Sequence, residues 1–202
     1  MGSYLFSYAV NYERLKSACG SKEETLILEI QKSPRFERYS RKELPVLNMQ
    51  QALKQIIDGY QPKDWEAAAS FWYAFIAMAD YFGERLQFNH EIKLHYETDL
   101  IDRYLKEDFQ VEFNSLRTLL NGKLSNDLPP GSQDGIYNGV LKEDELLNLR
   151  NKLEHISITD ERLKELEDED FEKEMAYDCI RQLQKHVNYC LANNLSLVVF
   201  AH

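Results

Sequence analysis

Apolar residues change their spacing from segment to segment along the chain, and the spacing predicts the elements. Tyr4 to Val10 is an aromatic and aliphatic run, too short for a helix before Asn11, and predicts a strand. Leu195 to Ala201 is a second such run at the other end. Between them the period is helical. Asn11 offers a side-chain oxygen to the free first-turn amides of a helix reaching Ala18, and Gly20 follows its stop. Ser21 and Glu24 have capping-box spacing, ahead of a helix with Leu26, Ile27 and Ile30 on one side. Pro34 to Pro45 reads as a polar connection. Asn48 then caps a helix that turns Ala52, Leu53, Ile56 and Ile57 inward and ends at Gly59.

From Asp64 to Phe82, Trp65, Ala68, Trp72, Phe75, Ala79 and Phe82 recur at helical spacing, while Phe71, Tyr73, Ile76 and Met78 fill other faces. A helix apolar nearly all round belongs at the centre of a fold. Further helices are expected over Tyr96 to Lys106, Val111 to Leu120, Glu143 to His155, Asp160 to Glu167 and Phe171 to Ala192. The last carries Phe171, Met175, Cys179, Leu183, Val187 and Cys190 as a core stripe. Residues 122 to 139 hold Pro129-Pro130-Gly131, Asp134-Gly135 and Asn138-Gly139, the makings of an ordered turn-rich loop.

Neither terminal strand can satisfy its backbone groups alone, and both are apolar, so the two are expected to share one sheet. Two strands make a marginal sheet, and 85–94 and 136–141 are the places for short additions. The expected fold is mainly helical α+β, one domain over residues 1–202, with a small sheet containing the N-terminal and C-terminal strands.

Composition narrows the class. With 44% hydrophobic residues and only 8 glycines and 5 prolines in 202, the chain is neither disordered nor low-complexity. Its start lacks a basic region followed by a long apolar one, and its longest uncharged apolar run, Ala67 to Ala79, is too short for the ~18 residues that span a bilayer. Cys19, Cys179 and Cys190 are odd in number and without CxxC spacing, which suits reduced core thiols. A cytoplasmic protein without membrane contact is expected.

The opening MGSYLFSYAVNYERLKSACGS, the middle FWYAFIAMADYFGERL, the turn DGIYNGVLKEDEL and the close LQKHVNYCLANNLSLVVFAH together resemble an uncharacterised bacterial domain family, YfbM-like in pattern. The resemblance implies the α+β fold and a bacterial source. It rests on packing and turn residues and brings no active site with it; some small bacterial domains of this type act as immunity or interaction proteins.

Three groups of residues offer chemistry. Arg150-Asn151-Lys152-Leu153-Glu154-His155 resembles the Arg-Asn-x-x-x-His motif of HEPN-type ribonucleases, which are also helical and complete their site across a dimer. There His155 would move a proton on a ribose hydroxyl, Arg150 would stabilise the phosphorane charge, and Asn151 would orient a hydroxyl or phosphate. The simpler reading is a solvated Arg150 and a His155 favoured by the helix dipole. Glu91, His95, Asp99 and Asp102 would bring an imidazole and carboxylates to one helix face, a weak metal site, with a solvated face the better reading. No metal or other cofactor is expected.

The net charge is −10, and Asp160 to Glu174 holds nine acids against three bases. Asp160, Glu161, Glu165, Glu167, Asp168, Glu169 and Asp170 form its densest part, an acidic face suited to a basic protein partner. Opposing it are Lys32, Arg35, Arg38, Arg41 and Lys42, interleaved with Phe36 and Tyr39. That pattern can grip a phosphate backbone, yet one short cluster on so acidic a chain fits a surface loop better, and nucleic acid is not the expected partner. The sequence thus favours a non-enzymatic protein working through protein contacts, immunity-like or regulatory. The ribonuclease using Arg150, Asn151 and His155 is the alternative.

Overall fold

The computed structural model describes residues 3–44, 46–60, 67–86, 91–122 and 137–201. In chain order these form β1 (Tyr4–Val10), α1 (Tyr12–Ala18), α2 (Glu24–Gln31), α3 (Pro34–Ser40), α4 (Met49–Asp58) and α5 (Ala68–Phe82). Then come β2 (Gly83–Leu86), β3 (Ile92–Lys93), α6 (Glu97–Phe109), α7 (Ser115–Leu119), β4 (Tyr137–Leu141), α8 (Glu143–Leu153), α9 (Asp160–Glu169), α10 (Phe171–Ala192) and β5 (Ser196–Ala201).

The two ends of the chain meet as expected. β1 and β5 run antiparallel from Leu5 opposite Ala201 to Val10 opposite Ser196. β2 and β3 pair in tandem with the outer side of β1, and β4 pairs with the outer side of β5, all antiparallel. Both loops marked for short additions therefore supply strands.

The pleat explains why the terminal strands are apolar on both faces. Leu5 and Ala9 of β1, with Leu197, Val199 and Ala201 of β5, enter a core built from α6 and α8–α10. Phe6, Tyr8 and Val10, with Val198 and Phe200, enter a second core built from α1–α5. The sheet is the middle layer between two helical ones. Phe200 anchors the second core, stacked on Phe6 at 5.6 Å and edge-on to Trp72 at 5.9 Å and Tyr8 at 6.0 Å. α5 carries ten buried residues, as a helix apolar nearly all round should; Asp64, Trp65 and Glu66 lie outside the described residues.

Four local readings are corrected. Pro34 to Ser40 is a helix: Ser33 Oγ accepts from the Phe36 amide at 3.2 Å, Pro34 sits in the first turn where no amide is needed, and Phe36 is buried. Ser21 does not cap α2. Its hydroxyl accepts from the Glu23 amide, because Lys22 takes a left-handed φ of 61° so that its own amide can donate to Ile57 O at the end of α4. Gly20 and Gly59, both at positive φ, make that crossing possible: a Cβ on Gly59 would stand 3.1 Å from Gly20 Cα. Between α6 and Leu120 only α7 is helical, since Gln110 closes α6 in the left-handed region and Asn114 starts afresh, accepting from the Arg117 amide. Phe171 is not part of the core stripe. It is 65% exposed, and the buried stripe begins at Met175.

Candidate functional site

α8 and α9 both pack against α10 on one side of the sheet, and these helices carry two of the groups of residues that the sequence singled out, the Arg150 motif and the acidic face. α9 presents Leu163 and Leu166 to the core, leaving Glu161, Glu165, Glu167, Asp168 and Glu169 in solvent. Not all of its acids are available. Asp160 is hydrogen-bonded to Arg181 of α10, and that contact holds its carboxyl below the usual carboxylate range. Glu165 pairs with Arg162 at 3.0 Å. Asp170 caps α10, accepting from the Lys173 amide at 3.1 Å. Among the described residues Glu161, Glu167, Asp168 and Glu169 form no ion pair.

The end of this acidic surface is aromatic. Phe171 follows directly on Asp170, exposed. Tyr96, 44% exposed, donates to Glu172 Oε1 at 3.0 Å and so stands at the same corner. Arg103 reaches Glu172 Oε2 at 3.2 Å, and Lys173 reaches Asp108 at 2.9 Å, tying the start of α10 to α6.

Arg150, Asn151 and His155 share no hydrogen bond among the described residues, and the groove lined by Arg150 includes neither of the other two. Arg150 is half-buried on α8, Asn151 is exposed on the next position, and His155 is exposed in the turn beyond Leu153, past the helix end. Arg150 instead lines an open groove of about 490 Å³ with Leu153, Glu154, Arg181, Gln184, Lys185, Val187 and Asn188. Gln184 Nε2 donates to Leu153 O at 2.7 Å and Ile156 O at 3.0 Å, which satisfies carbonyls at the end of α8 and fixes it to α10. Arg181 also holds Asp178 at 3.1 Å. Arg150 has a buried Nε with no hydrogen-bond partner.

The weak metal group is dispersed. Glu91 is in the strand approach and pairs with Arg85. His95 sits in a turn at φ 67°, its amide bonded to Thr98 Oγ1 at 2.9 Å. Asp99 is exposed on α6. Asp102, three residues on, is committed to Ser115, accepting from its amide at 2.8 Å and its hydroxyl at 2.6 Å. The helix those residues were expected to share starts only at Glu97. No group of three or more metal-ligating side chains occurs among the described residues.

The basic cluster is likewise committed, though to a helix rather than to a loop. Arg35 faces Asp80 at 3.8 Å, Arg41 pairs with Glu37, and Lys42 donates to Tyr73 Oη at 2.8 Å while lying over its ring. Phe36 is buried and Tyr39 packs on Tyr73 at 5.0 Å, so neither ring is set out to stack on a base.

Cys179 and Cys190 are buried and unbridged, and burial pushes the Cys190 thiol up to about 12, far from a reactive thiolate. Of the described residues, no helix is long and apolar enough to cross a membrane. The turn-rich loop lies outside the described residues from 123 to 136.

Sequence reasoning missed two members of this surface. Phe171 was hidden in a stripe whose spacing is correct but whose first turn overhangs the core. The groove could not be read at all, because Arg150 and Arg181 come from helices far apart in the chain.

Neither a curated protein nor a solved structure matches the chain. A family profile does match, over residues 1–202, and the chain therefore belongs to the family described as the domain of unknown function DUF7691.

Proposed function

We propose that this protein is a non-enzymatic binding module, immunity-like or regulatory, whose acidic α9 and adjoining aromatic corner dock a basic protein. The proposed setting is a bacterial cytoplasm: the resemblance to YfbM-type sequences supports a bacterial source, and the unbridged cysteines suit a reducing compartment. The observation that carries the reading is Phe171, 65% exposed next to the unpaired carboxylates of Glu167, Asp168 and Glu169. A phenyl ring left in water forgoes roughly 1.5–3 kcal/mol relative to burial. Aromatic side chains dominate the energetic centres of interfaces, and a charged rim around them steers a partner of opposite sign. Phe171 and Tyr96 supply such a centre here, and the carboxylates supply the rim.

The test is capture of a basic protein by the full chain at low salt, repeated with Phe171→Ala and with Glu167→Lys, Asp168→Lys and Glu169→Lys combined. One partner should be retained by the native chain, released as salt rises, and lost by both variants, while thermal midpoints stay unchanged. Failure to retain any protein at low salt, or equal retention by the variants, overturns the proposal.

A further inference from the structure

The Arg150 groove suggests a second binding function, independent of the docking face. Its walls are the end of α8 and the face of α10 that carries Arg181, Gln184, Lys185 and Asn188, residues three and four apart and so on one side of the helix. Leu153 and Val187 give it an apolar floor, and its volume lies in the range of small-molecule sites.

Charge decides what it can take. Arg181 is already occupied by Asp160 and Asp178 and offers little further attraction. Arg150 and Lys185 have no carboxylate within ion-pair distance among the described residues, and the Arg150 Nε is buried without an acceptor. Glu154, exposed on the wall, subtracts one charge, and the C-terminal end of α8 adds roughly half a negative charge. Three cations thus meet three carboxylates, so the groove has no positive excess overall, and its attraction for an anion is local, centred on the one guanidinium that has no carboxylate partner. That suits a single carboxylate, which a guanidinium fork binds through two parallel hydrogen bonds, better than a dianionic phosphate.

We propose that this groove binds small monocarboxylates bearing an apolar body: the carboxylate on Arg150, the body on Leu153 and Val187, and the amide of Asn188 at the rim. Lys185 sets the attraction at longer range.

The experiment is an NMR titration of the full chain, following backbone amides, with benzoate, benzamide and phenyl phosphate as probes. Benzoate should shift Leu153, Gln184 and Asn188 with a Kd on the order of 1 mM, as its size allows. Benzamide should not bind, and phenyl phosphate should bind more weakly. Arg150→Gln should weaken benzoate by about tenfold. Asn188→Trp, at an exposed position, should block the groove while leaving Arg150 in place, which guards against misfolding of the first variant. Shifts absent up to about 10 mM, shifts scattered outside the groove, or a benzoate affinity unchanged in both variants would overturn the proposal. So would benzamide or phenyl phosphate binding as tightly as benzoate.

Discussion

Asp160, the first residue of α9, is hydrogen-bonded through its carboxylate to Arg181, 21 residues on in the middle of α10. Arg181 in turn holds the buried Asp178. One guanidinium therefore ties the acidic helix to the helix beneath it and removes one acid from the docking face.

The hydrogen bond and charge of Arg181 depress the Asp160 pKa. For a depressed carboxylate the stabilisation is present above the unfolded value, near pH 4, and is lost as pH falls through the lower folded value. A carboxyl-detected NMR titration should find Asp160 titrating below ordinary aspartates, and Arg181→Gln should return it to their range. That variant also removes the Arg181 ion pair from the buried Asp178 and should lower stability in chemical denaturation. An unchanged Asp160 titration would falsify the ion pair.

Tyr8 is fully buried between the sheet and α5, and its hydroxyl has no hydrogen-bond partner. Burial raises its pKa, so it stays neutral. An unmade hydrogen bond at a buried hydroxyl costs about 1–3 kcal/mol. Tyr8→Phe keeps the ring contacts to Phe6 and Phe200 and removes that cost. Its thermal midpoint should equal or exceed that of the native chain. A clear drop in stability would show that the hydroxyl is in fact satisfied.

β4 is the outer strand on its side of the sheet, an edge that invites pairing with other chains. The side chain of Asn121 covers it by mimicking a strand, donating to Val140 O at 2.8 Å and accepting from Val140 N at 3.1 Å. The Gly122 amide adds a bond to Asn138 O at 3.0 Å. The approach is so close that a Cβ on Gly139 would stand 2.1 Å from Leu119 O. Asn121→Ala should cost about 1–3 kcal/mol and promote self-association, read by denaturation and light scattering. Gly139→Ala should cost a similar amount by forcing backbone apart, about 1–3 kcal/mol. Two variants as stable as the native chain would show the edge to be otherwise protected.

Asp102 is a packing residue. Burial raises its pKa, with the Ser115 hydrogen bonds opposing the shift. In this direction the folded state takes up a proton before the unfolded chain does, so the residue's contribution to stability rises as pH falls through the folded value and levels off below the unfolded one. Asp102→Asn, which keeps one acceptor for Ser115, should remove that part of the pH dependence between neutrality and about pH 4. Asp102→Ala should instead strand the buried Ser115 amide and lower stability at every pH. Addition of divalent metal should change neither variant's melting curve.

Because His155 lies past the end of α8 and is not among the residues lining the Arg150 groove, purified protein should leave single-stranded RNA intact, and His155→Ala should change neither this nor the thermal midpoint. Cleavage that disappears in His155→Ala would restore the ribonuclease reading and sink the non-enzymatic one.

Local pattern alone was enough for most elements, because their causes are local. Asn11 and Asn48 cap where their side chains predict, and the alternation-free runs at 4–10 and 195–201 are strands buried on both faces. Net charge and the crowding of acids on Asp160 to Asp170 were equally legible. What only the tertiary structure decided is which charges remain available. Asp160, Glu165 and Asp170 look like Glu167 and Asp168 in the sequence, yet each of the first three is engaged by a partner. Lys32 to Lys42 reads as a loose basic stretch, yet Phe36 and Tyr39 dock it on α5. Phe171 continues a core stripe by spacing, yet its ring is left in solvent while the adjacent Glu172 and Lys173 are held against α6 by Arg103 and Asp108. Availability depends on neighbours brought in from elsewhere in the chain, and residue spacing carries no record of them.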